Sequence, residues 1–160
     1  MIKLTRQADF GVLLMTYFAR LPRAETLTAR ALAEATRISL PSVSKVLKIL
    51  ARARLLVSQR GAHGGYALAR AARDITMVDM LEALEGPIAI TECSDAAGMC
   101  EKETWCPVRS HWQVINRAVQ EALDGVTLEK MICPFETAIG ATCESALAAS
   151  GATRVHAAER

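Results

Sequence analysis

A glycine-rich turn, Arg60-Gly61-Ala62-His63-Gly64-Gly65, restricts the possible folds of this 160-residue chain more than any other pattern in it. The turn lies between two short segments, residues 55–59 and 66–68, whose composition is typical of strands. Glycine tolerates the positive φ angles of a tight turn, and this need alone accounts for the glycines. The pattern predicts a two-stranded hairpin.

A first helix is predicted between Thr5, its N-cap, and Pro22, which ends it. Within this segment apolar side chains recur at intervals of three and four residues, as they do on one face of a helix. The predicted stripe consists of Phe10, Leu13, Leu14, Tyr17, Phe18 and Leu21.

Two further helices follow, separated only by residues 36–38. The first fits residues 28–35, with Thr28 as its N-cap. Its predicted inner face consists of Ala31, Leu32 and Ala35. Ser39 can cap the second, and Pro41 is tolerated in its first turn because the backbone donors there have no helical partner. This order predicts a helix-turn-helix.

The third helix has an apolar face and a polar face. The apolar stripe consists of Val43, Val46, Leu47 and Leu50. The outward residues are Ser42, Ser44, Lys45, Lys48 and Arg52. Hydroxyls and cations at the start of an exposed helix suit insertion into the major groove of DNA, where they bond to bases and phosphates. A solvated polar face is the alternative explanation.

The hairpin that follows the helix-turn-helix favours DNA binding, because the two together predict a winged helix. Arg60 at the base of the turn and His63 at its tip are placed to reach a minor groove or the DNA backbone. Residues 1–70 carry a net charge of +9, so the remainder carries −7 in a chain of net charge +2. This asymmetry indicates a polyanion-binding front half, or surface charge that only confers solubility.

These segments carry a family resemblance. Residues 55–69, preceded by residues 40–47, resemble the Rrf2 family of winged-helix repressors, which contains the IscR and NsrR regulators. The resemblance extends from residue 1 to about residue 131. It implies a mainly α-helical fold with a small β-hairpin wing and a long dimerisation helix. It also implies a double-stranded DNA operator as partner.

Three cysteines, Cys93, Cys100 and Cys106, fall within fourteen residues. The segment between residues 91 and 103 lacks periodic apolar residues, which predicts an exposed loop in which three sulfurs can converge. Soft thiolates select zinc, copper(I) or iron-sulfur clusters, and the wide spacing suits a cluster better than zinc. Unrelated loop thiols and a thiol redox switch are the alternatives.

The resemblance implies a specific cofactor. In the family, three cysteines at about this spacing hold an iron-sulfur cluster, and residues 86–93 and 106–116 look most like the regulators of SUF-system cluster assembly. This implies a cluster, of the 2Fe-2S type rather than 4Fe-4S, on the three cysteines. The IscR pattern has a histidine where this chain has Arg109, so His111 and Asp9 of the partner subunit are the candidates for the fourth ligand.

A long helix is predicted after the third cysteine, with Pro107 in its first turn. Its apolar stripe consists of Val108, Trp112, Ile115, Val119 and Leu123. This stripe can be buried against the first helix or against the same helix of a second copy. The family favours the second copy, and a twofold homodimer would present two recognition helices to a pseudo-palindromic operator.

Gly125 is predicted to end this helix, and Thr127 to cap a short turn that runs to Met131. Cys133 and Cys143 lie outside the family pattern and are expected to be free thiols. The expected parts are a winged helix-turn-helix domain at 1–75, a cluster-binding loop and dimerisation helix at 76–131, and a flexible tail at 132–160.

The expected function is an iron-sulfur-sensing repressor of cluster assembly genes. The alternatives are a nitric-oxide or redox-sensing repressor, a zinc-stabilised adaptor, and a thiol oxidoreductase. No Cys-x-x-Cys pair occurs and the histidines are scattered, so an enzyme and a small-molecule substrate are not expected. Charges at Arg6 and Asp9 interrupt any N-terminal signal, and no run of about eighteen apolar residues occurs, so we expect a cytoplasmic protein without membrane contact.

Overall fold

The computed structural model describes residues 4–22, 25–61, 64–95, 100–102 and 104–133. The predictions for His63, Cys143 and residues 134–160 lie outside these ranges. In chain order the helices and strands are α1 (Arg6–Ala19), α2 (Ala29–Thr36), α3 (Leu40–Arg52), β1 (Leu56–Gln59), β2 (Gly65–Leu68), α4 (Met77–Glu85), α5 (Glu92–Asp95), α6 (Arg109–Asp124) and α7 (Leu128–Ile132). The fold is therefore mainly helical with one hairpin, as predicted.

Helix α1 begins as predicted, because the Thr5 hydroxyl accepts a hydrogen bond from the Ala8 amide at 3.2 Å. Its buried face differs from the predicted stripe. The buried residues of α1 are Ala8, Gly11, Leu14, Met15 and Phe18, whereas Leu13 is exposed. A Cβ on Gly11 would lie 2.3 Å from Cδ1 of Leu84 in α4. This close approach of α4 centres the buried face on Gly11.

Helix α2 is capped by Thr28, whose hydroxyl accepts from the Ala31 amide at 3.1 Å. Only Leu32 of its predicted inner face is buried, so the prediction is wrong for Ala31 and Ala35, which are exposed. This eight-residue helix packs mainly against α3, with a smaller contact to α1, and Leu32 is the side chain that these contacts bury.

Helix α3 has the predicted buried stripe of Val43, Val46, Leu47 and Leu50. Ser39 occupies the N-cap position but makes no capping bond to the backbone. Its hydroxyl instead lies 2.8 Å from the hydroxyl of Ser42.

Strands β1 and β2 form the predicted antiparallel hairpin, with Leu56 opposite Leu68 and Gln59 opposite Gly65. The hairpin is joined to the segment before α2 by two backbone hydrogen bonds of 2.9 Å between Leu27 and Tyr66. A Cβ on Gly65 would lie 2.8 Å from the Leu27 carbonyl oxygen. Glycine is therefore required here by close backbone packing, in addition to the turn geometry expected from the sequence.

One hydrophobic core joins the winged helix to the later helices. It includes Phe18 of α1, Leu47 of α3, Met80 of α4 and Leu128 of α7, all buried. A reciprocal capping box at Thr76 starts α4. No described helix is both long and apolar enough to cross a lipid bilayer.

Helix α6 starts later than predicted. Its first residue is Arg109 and its N-cap is Val108, so Pro107 precedes the helix instead of lying in its first turn. Gly125 ends α6 as predicted, and the Thr127 hydroxyl caps α7 by accepting from the Lys130 amide.

The end of α6 is fixed to the start of α4 by backbone hydrogen bonds. The Met77 amide donates to the Val126 carbonyl and the Leu128 amide donates to the Ile75 carbonyl, each at 2.8 Å. The chain that follows α6 is therefore tied to the start of α4.

Candidate nucleic-acid interface and cysteine segment

The polar face of α3 is accessible. Lys45, Lys48 and Arg52 are exposed, and Ser42 and Ser44 are half-buried. The Ser39–Ser42 hydroxyl contact orients the start of this face. We call these five α3 residues the recognition face. The buried stripe on the opposite side of α3 turns them outward, as the periodicity predicted.

The wing adds a further accessible cation. Val57, Ser58 and Gln59 of β1 are exposed, and Arg60 follows them, also exposed. Gly61, with a φ of 116°, turns the chain directly after Arg60. His63 was predicted to contact DNA at the wing tip, and it lies outside the described residues.

The fold does not use these cations for ion pairs. Within the described ranges the ion pairs are Arg70 with Asp79 at 2.8 Å and Arg73 with Asp74 at 3.9 Å. Neither involves the recognition face or Arg60. These charges are therefore available to an external polyanion.

Sequence reasoning did not single out two arginines with unusual backbones. Arg37, in the turn between α2 and α3, has a φ of 57°, and Arg54, between α3 and β1, has a φ of 59°. Both side chains are exposed. The available signal was their position just after helical segments, where glycine is the usual residue.

The cysteine segment, which we define as residues 91–106, is only partly a loop. Cys93 lies in the short helix α5, so the expectation of a loop is wrong for residues 92–95. The Thr91 hydroxyl lies 3.2 Å from the Cys93 sulfur and 3.0 Å from the Ser94 hydroxyl, and these contacts organise this turn.

Cys93, Cys100 and Cys106 are half-buried free thiols. In the ranges that the structure covers, no three His, Cys, Asp or Glu side chains are grouped closely enough to hold a metal ion. His111 and Asp9, the candidate fourth ligands, are both exposed. Residues 96–99, which join Cys93 to Cys100, lie outside those ranges. The donor set fits a soft metal group by its chemistry, because all three thiols are unblocked.

A buried amide side chain of α6 holds the residues just before the cysteine segment. Asn116 is 6% exposed, and its Oδ1 accepts from the Ile90 amide at 3.0 Å. Its Nδ2 donates to the Ile88 carbonyl at 3.1 Å, and Gln120 donates to the same carbonyl at 3.2 Å. The chain that leads into α5 is therefore held against the middle of α6.

The apolar stripe of α6 remains largely uncovered. Val108 is 48%, Trp112 37% and Ile115 44% exposed, and Val119 and Leu123 are half-buried. The described contacts of α6 are with α4 and α5. Packing of the whole stripe within one chain, which was one of the two sequence-based alternatives, does not occur among the described residues.

Cys133 was expected to be a free thiol. It is disulfide-bonded instead, so this expectation is wrong. The expected cytoplasmic compartment and the odd number of cysteines had pointed away from such a bond.

Comparisons with known proteins agree over most of the chain. A family model for Rrf2, described as an iron-dependent transcriptional regulator, matches residues 4–134. The protein rrf2 of Nitratidesulfovibrio vulgaris is 29% identical over 138 residues, which represent 83% of this chain and 92% of that protein.

Two solved structures are similar in both fold and sequence. CymR, the global cysteine regulator of B. subtilis, has a TM-score of 0.66 and 29% identity, over 82% of this chain and 97% of that one. IscR of T. potens has a TM-score of 0.63 and 28% identity, over 82% and 86% of the two chains. These likenesses agree with the winged-helix architecture described above.

Proposed function

Because this chain belongs to the Rrf2 family of iron-dependent transcriptional regulators, we propose that it is a dimeric repressor that senses an iron-sulfur cluster and controls cluster assembly genes. The regulatory role comes with the family and places the chain among non-enzymes. The cluster, the dimer and the target genes are the proposal. The observation that carries it is the set of three unblocked thiols next to α6, in a chain whose front half is a winged helix.

The proposed DNA contacts are the recognition face of α3 together with Arg60 and His63 of the wing. The recognition face supplies hydroxyls and cations of the kind that bond to base edges and phosphates. Arg60 is exposed at the end of β1 and forms none of the described ion pairs. This arrangement supports simultaneous contact with a major groove and with the adjacent backbone or minor groove.

The proposed dimer forms through the α6 stripe. An exposed run of Val108, Trp112 and Ile115 on one helix face is costly in water, because apolar burial contributes about 25 cal/mol per Å². The same stripe on a second copy is its natural complement in a twofold interface. Two α3 helices would then meet half-sites roughly 34 Å apart.

The proposed ligands are Cys93, Cys100 and Cys106. The fourth ligand is either His111 of the same chain or Asp9 of the partner subunit. When bound, a cluster of the 2Fe-2S type supplies a redox-sensitive and oxygen-sensitive centre. The thiols act as soft ligands, and the Thr91 hydroxyl beside Cys93 orients one of them. The SUF-like sequence at residues 86–93 and 106–116 supports cluster assembly genes as targets.

Signal transmission is proposed to run from the cysteine segment through Asn116 to α6. Closure of the three thiols on one centre requires residues 91–106 to change shape, because the described residues do not gather them. Asn116 and Gln120 of α6 bond to the backbone of Ile88 and Ile90, just before this segment. A shift of about 1.4 kcal/mol between two dimer geometries changes operator affinity about tenfold.

Anaerobic purification tests the cofactor directly. We expect a coloured protein with iron and inorganic sulfide in equal amounts, and we expect Cys93→Ser to lose most of both. The control is the double variant Cys133→Ser, Cys143→Ser, since Cys133 is disulfide-bonded and neither residue belongs to the proposed ligand set, and it should retain both iron and sulfide. A colourless protein with stoichiometric zinc would contradict the cluster and support a zinc-stabilised adaptor.

Operator binding then tests sensing. Loaded and cluster-free protein are compared on a duplex selected from random-sequence DNA by the loaded protein. We expect affinities that differ at least about tenfold. Equal affinities would remove the sensing claim and leave DNA binding intact.

A thiol-based redox repressor is the second candidate. It is favoured by the observation that the three thiols are free and ungrouped in the described part of the chain. Two treatments distinguish the cluster sensor from the thiol switch by their effect on DNA binding. Nitric oxide is added to the cluster-loaded protein, and peroxide is added to the cluster-free protein. Release of DNA by peroxide from protein that contains no iron would select the thiol switch.

A further inference from the structure

Arg37 has a backbone conformation that arginine does not favour. It follows the last residue of α2 with φ 57° and ψ 23°, in the left-handed region. There the Cβ of an L-residue crowds a neighbouring carbonyl oxygen, so glycine is the usual residue after a helix. Folding alone therefore favours glycine over arginine at this position.

The surrounding turn holds Arg37 in this conformation. The Thr36 hydroxyl donates to the Leu32 carbonyl at 2.7 Å and accepts from the Ile38 amide at 3.4 Å. Ile38 packs against the core, and α3 begins two residues later. The backbone on both sides of Arg37 is thus fixed by bonds and packing that do not involve its side chain.

The Arg37 side chain has no described role in stabilising the fold. It is exposed, and neither of the ion pairs in the described ranges includes it. The nearest acid in the sequence, Glu34, lies one turn earlier on α2 and is also exposed. The arginine therefore presents its charge to solvent beside the start of α3.

We propose that Arg37 anchors a DNA phosphate next to the recognition helix. This inference rests on the DNA-binding mode proposed above, in which the first turns of α3 enter the groove. Arg37 is two residues before Ser39, which contacts Ser42 at the start of the recognition face. A planar guanidinium with paired donors suits a phosphate oxygen pair better than any neutral side chain.

The chain contains a matched comparator at the other end of α3. Arg54 has almost the same backbone, with a φ of 59°, and it is also exposed. Because α3 has 13 residues, the two arginines are separated by a helix about 20 Å long. This exceeds the screening length of about 8 Å at physiological salt. A glycine at either position relieves the same strain of the left-handed backbone and removes the same charge.

The test compares full-length Arg37→Gly, Arg54→Gly and Arg37→Lys with the unaltered protein. The probe is the selected duplex used above, titrated at several salt concentrations, with thermal unfolding of each variant as a second readout. For Arg37→Gly we expect an unchanged or raised Tm together with affinity about tenfold weaker and a salt slope reduced by about 1. Arg54→Gly should match the Tm effect and keep affinity within about twofold. Arg37→Lys should retain the salt slope.

Two results would overturn the assignment. One is an Arg37→Gly protein that binds as tightly as the unaltered protein, or that loses no more affinity than Arg54→Gly. The other is a lowered Tm of Arg37→Gly, which would give the arginine a structural role. Lys45→Ala separates this inference from its premise. If Lys45→Ala weakens binding and Arg37→Gly does not, only the Arg37 assignment fails; if neither does, the α3 interface fails as well.

Discussion

At the scale of single residues, Arg60 is the described wing residue that we expect to contribute most to operator binding. Pairing of Gln59 with Gly65 fixes the backbone just before Arg60, and Gly61 turns the chain just after it. The side chain is exposed and follows a paired strand, so little backbone freedom just before it is lost when it meets DNA. We expect Arg60→Ala to weaken operator binding about tenfold and to reduce the salt slope by about 1 if it contacts phosphate.

The same variant distinguishes phosphate contact from groove contact. If Arg60 enters the minor groove, Arg60→Ala should alter the preference among duplexes that differ in A·T content. Arg73→Ala is the control, because Arg73 is an exposed cation paired with Asp74 away from the hairpin. Unchanged binding on every duplex would show that the wing does not touch DNA.

At the scale of elements, Asn116 helps to hold the residues just before the cysteine segment against α6. The Ile90 amide has its partner in Asn116, while the Ile88 carbonyl also receives Gln120. Asn116→Leu keeps a similar volume and removes both bonds. It should lower the free energy of unfolding by about 1–3 kcal/mol, because buried polar groups lose their partners.

Hydrogen exchange measures whether this effect is local. The Ile90 amide should exchange faster in Asn116→Leu. Amides in the core of α3 should still exchange only through global unfolding. Gln113→Leu, an exposed position on the same helix, should stay within about 0.5 kcal/mol of the unaltered protein. Unaltered exchange at Ile90 would mean that Asn116 does not hold this segment in solution.

At the scale of the whole molecule, the exposed α6 stripe determines the expected assembly. Ile115 is 44% exposed and lies between Trp112 and Val119 on this stripe. The variant Ile115→Glu would place a charge in the proposed interface and would remove the apolar contacts of the isoleucine. We expect Ile115→Glu to shift the dimer toward monomer by at least about a hundredfold in Kd, as measured by sedimentation, and to weaken operator binding with it.

Gln113→Glu is the matched control for Ile115→Glu. Two residues on a helix are separated by about 200° of rotation, so position 113 lies on nearly the opposite side of α6 from Ile115. It adds the same charge and should leave the dimer intact. A dimer that survives Ile115→Glu would place the subunit interface elsewhere.

Local interactions explain what the sequence determined by itself. The caps at Thr5, Thr28 and Thr127 each require only a hydroxyl and an amide three residues away. The buried stripe of α3 and the hairpin follow from periodicity and turn chemistry within a few residues. The winged helix and its family resemblance were therefore readable from the chain alone.

Tertiary packing decided the features that depend on distant partners. The buried face of α1 is centred by Leu84, far along the chain, because Gly11 lets α4 approach closely. Asn116 is hydrogen-bonded to Ile88 and Ile90, which no local pattern connects to it. The left-handed backbone of Arg37 is fixed by Thr36 and by the packing of Ile38. Sequence thus specified the elements other than α5, and contacts between elements specified which surfaces remained free to act.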